Sequence, residues 1–338
     1  MTRKFEISVP SINLHLPLEM LAGAIAIYVA LSIYLFKPHL IAFDPWRGLF
    51  IPATNFAALG AFLLALRWVA NPGAAFFSGL LYGFGPFTLG FAMFHPASAA
   101  AIAIIPWLFM PAAFWPKTSK YVTAIRAALA LLPFIATALF FTIAARYSFY
   151  PVPIGEKFHV TPLHTLIGPL VSNAQDFPIF NFYHVAAGPL VMGLLLFFRL
   201  HRVGTIILLV AGVALGLSSA VGPASPIIWG SIAVLCVCIM IGLGLNGLTV
   251  ASSADSIWVT LCGFVLAALA LICGIQANGR TWWAWTALWY LLGTVAVFGV
   301  LAAAIYDKAW HKWRFFVLAV LILADVFISS RITVDKLF

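Results

Sequence analysis

"FGPFTLGFAMFHPASAAAIAIIPWLF", residues 84–109, is almost wholly apolar, yet three prolines punctuate it and His95 stands near its middle. The run is longer than one membrane crossing, for which about 20 residues suffice. Pro86, Pro96 and Pro106 each lack a backbone donor and bias the preceding residue away from helix, so the run cannot be one straight rod. A helical hairpin solves the problem, with His95 and Pro96 making the turn where water begins.

The rest of the chain supports a membrane setting. Of 338 residues, 64% are hydrophobic and 8% charged, and the mean hydropathy is +1.09. Soluble domains carry about 25% charge. In hydrocarbon only hydrogen bonds made inside a helix or closed barrel satisfy the backbone. The apolar runs predict an all-α polytopic protein of about eleven transmembrane helices, near 17–36, 49–66, 73–94, 96–115, 123–145, 182–198, 204–221, 226–248, 257–275, 282–305 and 315–330. The first is too long for a cleaved leader and lacks a small-residue cleavage pattern, so it reads as a retained anchor. One membrane domain is expected over 1–338.

Lys and Arg divide unevenly between the two sets of loops. Eleven fall on one side (Arg3, Lys4, Arg67, Lys117, Lys120, Arg126, Arg199, Arg202, Lys308, Lys312, Arg314) and seven on the other. The richer side is predicted to be cytoplasmic, which puts the N-terminus inside and the C-terminus outside. The net charge of +9 then reflects topology and contact with anionic lipid, not nucleic acid, since no soluble basic domain exists to hold a duplex. Cys236, Cys238, Cys262 and Cys273 fall inside apolar runs without metal-binding spacing and read as small buried hydrophobes.

Two outer segments stand out: 37–48, "KPHLIAFDPWRG", and 146–181, which is long for a helical connection and carries aromatics and prolines. The second reads as a folded cap against the outer face. On this topology His39, His95, His159, His164 and His184 reach the outer face with Asp44, Glu156 and Asp176. Such a set can bind a divalent cation or a phosphate, or shuttle protons; outer loops are also simply where polar residues must go. Asp44 and Arg47 in "FDPWRG" suit a general base or metal ligand and a phosphate clamp, or an interfacial ion pair. Asp325, inside the last run, needs a partner or water. Haem is not expected, because no histidine pair sits at matched depth on facing helices. "TWWAWTALWY" (281–290) suits an aromatic belt or a platform for a lipid or sugar ring.

The order of these features, an outer loop with an aspartate, "YGFGPFTLGFAMFHPASAAAIAIIPWLFMPAAFW", then "FYHVAAGPLVMGLLLFF" and "LLVAGVALGLSSAVGP", resembles bacterial GT-C superfamily glycosyltransferases, especially the YfhO-type membrane proteins, over about residues 17–225. The resemblance implies a bacterial inner-membrane enzyme that transfers a sugar from a polyprenyl-phosphate-linked donor on the outer face. Asp44 falls at the family's first-loop catalytic acid, and His95 would line the same cavity. Arg47, Arg146, Lys157, His164 and His184 would bind substrate, with Asp44 and His95 able to hold a divalent cation, Mg or Mn. The chain departs from the pattern in having one acidic residue in the first loop and no extended C-terminal region beyond the 226–338 helices. The alternative expectation is a non-catalytic accessory subunit that keeps the scaffold and packs against other membrane subunits.

Overall fold

The computed structural model describes residues 18–42, 47–116, 121–156, 183–199, 203–219, 222–278, 281–306 and 311–338. The helices are α1 (Leu18–Phe36), α2 (Phe50–Ala65), α3 (Pro72–Phe84), α4 (Pro86–Gly90), α5 (Pro96–Phe114), α6 (Val122–Leu129) and α7 (Leu132–Arg146). They continue with α8 (Ala187–Arg199), α9 (Val203–Leu217), α10 (Pro226–Val250), α11 (Ser256–Gln276), α12 (Thr281–Tyr306) and α13 (His311–Leu337). No strand occurs among the described residues. Eight described segments are long and apolar enough to cross a membrane, and α2, α8 and α9 are shorter apolar helices on three of the predicted runs. The protein is therefore an all-helical, polytopic membrane protein.

Proline placement explains most of the boundaries. Pro72, Pro86, Pro96 and Pro226 are each the first residue of a helix, where the missing donor would be unpaired anyway and the fixed φ suits the helix. Asn71 caps α3 by accepting from Gly73 N at 2.9 Å. Before α11, Ser252 and Asp255 form a capping box, with Ser252 Oγ donating to Asp255 Oδ2 at 2.9 Å. The predicted span 123–145 is two helices, and Pro133, second residue of α7, marks the new start.

The hairpin turns at His95–Pro96 as expected and its second arm, Pro96–Phe114, matches the predicted span, but its first arm is broken. The first arm breaks at Gly85, whose extended backbone (φ −70°, ψ 160°) separates α3 from α4. A Cβ there would collide with the Leu81 carbonyl. In the second arm Pro106 does not end the helix. The Ile102 carbonyl it deprives of an amide partner accepts from Tyr82 OH at 2.9 Å, so a neighbouring helix supplies the missing donor.

α3 and α10 are buried nearly all round and form the centre of the bundle. α2 packs on α3 and α5 on α2, α8 and α9 pack on α10, and the α11–α12 pair lies outside against α8. Close approach of α8 to α10 needs glycine: a Cβ at Gly244 would meet the Pro189 carbonyl, and one at Gly193 the Met240 carbonyl. The four cysteines are free and buried, as their apolar setting predicts.

Several arginines serve as helix caps. Arg67 Nε donates to Ala113 O at 2.8 Å, Arg126 to Trp115 O and Arg314 to Ala251 O at 2.8 Å. Ala113 lies in the last turn of α5, and Trp115 and Ala251 cap α5 and α10, where unpaired carbonyls and the negative end of the helix dipole favour a cation. These three arginines all belong to the Lys/Arg-rich set of loops.

Candidate functional site

Polar side chains gather at two places. The first is deep in the bundle, at the break between α3 and α4. Asp325 lies near the middle of α13 and is fully buried. Its Oδ2 accepts from the backbone N–H groups of His184 and Val185 at 2.7 and 3.0 Å. Its Oδ1 accepts from Ser329 Oγ at 3.0 Å and pairs with His184 Nδ1 at 2.9 Å.

Tyr183 makes this convergence possible. It sits in the left-handed region (φ 64°), a conformation costing about 1–2 kcal/mol for a residue with a Cβ. The turn aims the next two amides at one oxygen. The cost is offset by its hydroxyl, which donates to the Phe84 carbonyl and bonds Ser330 Oγ at 2.7 Å. Phe84 O is a carbonyl that the Gly85 break leaves without a helical partner. The Tyr82 carbonyl is satisfied by Thr88 Oγ1 in the same way. Unwound backbone at this depth is tolerable only because protein donors surround it.

Asp325, Ser329, Ser330 and Thr333 form a buried polar stripe on α13 facing the break. Tyr290 of α12 closes the site, its ring perpendicular to the His184 imidazole with centroids 5.3 Å apart. His184 Nε2 is buried and makes no hydrogen bond.

The second place is the end of the bundle that carries His95. Asp335 Oδ1 bonds His39 Nε2 at 2.8 Å and Arg331 Nη2 at 2.9 Å, while Oδ2 accepts from Arg331 Nε at 2.9 Å. Arg331 Nη1 also caps α1 through the Tyr34 and Leu35 carbonyls at 2.9 and 3.1 Å. The Phe338 ring packs on Phe36 and Phe50. The last turn of α13 thereby holds both ends of the first loop, whose described parts are 3-10 turns at Lys37–Ala42 and Arg47–Leu49. Beside it lies a cavity of about 80 Å³ lined by Phe50, Ala92, Met93, Phe94, Pro96 and Phe338.

His95 stands between two of those lining residues and is exposed. It caps α5, its Nδ1 accepting from Ala97 N at 3.2 Å, and its ring packs edge-to-face against Phe149. With Nδ1 used as an acceptor, the neutral ring carries its proton on Nε2 and presents a donor to the surface. A metal ligand needs a bare ring nitrogen, so His95 in this capping state does not fit one. Among the described residues no group of three or more His, Cys, Asp or Glu comes together.

The remaining expected site residues are dispersed or lie beyond view. Asp44, Lys157, His159, His164 and Asp176 lie outside the described residues, as does the Arg47 side chain. Arg146 is exposed at the end of α7. Glu156 contributes its carbonyl to Ser225 Oγ at 2.6 Å and Ile227 N at 3.2 Å. His184, expected at the outer face, is instead buried against Asp325, because the chain enters α8 deep in the bundle. His39, His95 and His184 thus contact three different sets of partners.

Asp325 finds the polar helix partner its burial demands. That this partner is His184 was missed in the sequence, though the signal existed: both are ionisable groups within or beside apolar runs, and Ser329 and Thr333 repeat at four-residue spacing behind Asp325. Tyr183 left no signal at all. Compared with protein-family models, with curated proteins and with solved structures, the chain matches none.

Proposed function

We propose that this protein is a GT-C-like membrane transferase that takes a sugar from a polyprenyl-phosphate-linked donor at the end of the bundle carrying His95. The observation that supports the reading is the cavity between the first loop and the hairpin tip, with Phe50, Phe94 and Phe338 as apolar walls. Apolar walls suit a lipid tail beside its phosphate, and the loop carrying Asp44 and Arg47 runs directly into Arg47–Leu49 and α2. In this reading Asp44 deprotonates or orients the acceptor hydroxyl. Arg47, Arg146 and Lys157 hold the phosphate, His164 belongs to the substrate-binding set, and His95 donates its Nε2 proton in a hydrogen bond to the substrate; His184, expected from the sequence in the same set, is committed to Asp325 in the bundle interior and stands apart from this site. α2, α8 and α9 also cross, giving eleven spans with the N-terminus inside the bacterial inner membrane and the C-terminus outside. A Mg or Mn ion, if the reaction uses one, is held by Asp44 and not by His95 as capped.

A second reading has its own support. Arg331 and His39 are committed to Asp335, and His184 to Asp325, so these ionisable groups are spent on internal contacts. The outward faces of α11 and α12 are broadly apolar. These features suit a non-catalytic subunit packed against other membrane proteins.

Native mass spectrometry from mild detergent separates the two. The transferase reading expects a protomer carrying a polyprenyl phosphate that is lost in Asp44→Asn. Stoichiometric association with other polypeptides, with no such lipid, sinks it and supports the accessory subunit.

A further inference from the structure

Asp325 has four hydrogen-bond partners: two backbone amides, which can only donate, a serine hydroxyl and the Nδ1 of His184. A carboxylate has about four lone-pair positions, whereas a protonated acid must place its own proton on an acceptor. The two amides fill Oδ2, and with Asp325 as the carboxylate the serine hydroxyl and an Nδ1 that carries a hydrogen fill Oδ1. Among the described residues no Lys or Arg pairs with it, leaving His184 as the partner that can become a cation. With a neutral imidazole the site holds one uncompensated negative charge in the bundle interior; one proton on Nε2 cancels it. Nε2 is also the atom of the pair that has no hydrogen bond.

We propose that His184 and Asp325 form a buried proton-binding site, with the exchanging proton on Nε2 of His184. The step is acid–base alone: hydronium supplies the proton, the Nε2 lone pair forms the N–H bond, and water is left. The other titratable groups facing the pair are Tyr183 beside it and Tyr290 from α12, with Cys238 of α10 near Tyr183 and Cys273 of α11 near Tyr290. Proton occupancy sets how strongly the turn before α8 is held to α13. Through Tyr183, Ser330 and the Phe84 carbonyl, that turn is also tied to the α3–α4 break. Gain or loss of the proton therefore acts on three elements at once, at a depth where broken helices commonly meet ions or substrates. The inference goes beyond the transferase reading and does not depend on it.

The test is nitrogen NMR of the full-length protein, labelled at histidine and held in lipid nanodiscs, followed across a pH titration. The His184 signals are identified by their loss in His184→Gln, or, if that variant does not fold, by their displacement in Tyr290→Leu. The expected result is a protonation step at Nε2 that is displaced or lost in Asp325→Asn. Signals showing a bare Nε2 throughout the titration, or a step that Asp325→Asn leaves in place, would overturn the proposal and reduce the pair to a structural hydrogen bond.

Discussion

Among the described residues the same pair, a histidine with an aspartate, occurs twice. His184–Asp325 and His39–Asp335 have nearly equal separations, 2.9 and 2.8 Å, and both tie α13 to a distant part of the chain. Their surroundings differ: side-chain exposure is 5% and 0% for the first pair, against 19% and 44% for the second. Water screens the second pair and rehydrates either partner if the other is lost. Nothing does so for the first, so deletion strands a charge or a polar group in an apolar interior. Distance alone does not rank two such pairs; the medium does.

The largest expected effect is at the deep pair. Asp325→Ala should cost about 3–5 kcal/mol, the usual penalty for removing one partner of a buried pair, and lower the unfolding midpoint in detergent accordingly. A double-mutant cycle with His184→Ala should show strong coupling. If the two losses simply add, the contrast drawn here fails.

Next comes Tyr183→Phe, which removes the Tyr183 hydroxyl donor from the Phe84 carbonyl and leaves Ser330 to cover it. Leaving a buried carbonyl underserved costs about 1–3 kcal/mol, measurable by thermal scanning. The variant should also raise amide exchange around the Gly85 break more than elsewhere.

A smaller effect belongs to His95. His95→Ala removes the α5 cap at about 1 kcal/mol, while His95→Asn should recover most of that stability because asparagine caps well. The pair of variants sharpens the functional question: transfer activity that fails in the stable His95→Asn protein would assign the imidazole a chemical role beyond capping.

The smallest belongs to the exposed pair. His39→Ala should change stability by less than about 1 kcal/mol, since Asp335 keeps Arg331 and solvent takes up the vacancy. A loss as large as that of Asp325→Ala would erase the distinction between the two regions.

Much of the helical layout can be read from local chemistry. Apolar runs become helices, and the prolines at 72, 86, 96 and 226 open them, as a residue without an amide donor must. The turn at His95–Pro96 and the burial of the cysteines follow from the same logic. The site is less legible. Pro106 looks like a breaker until Tyr82 is placed beside it, and nothing local marks Gly85 as a break whose neighbours' carbonyls find donors on other elements. His184 lies next to a predicted span end, and no local rule brings it 141 residues along the chain to Asp325.

What the amino-acid sequence determines by itself is the solvent and the element type, because hydropathy and proline act over a few residues and need no knowledge of the rest of the chain. Which carbonyl a tyrosine rescues, which carboxylate a histidine meets and whether that meeting is dry are decided only by the packing. A buried polar group takes its partner from whichever helix lies across from it, and in this bundle that helix is far away in sequence.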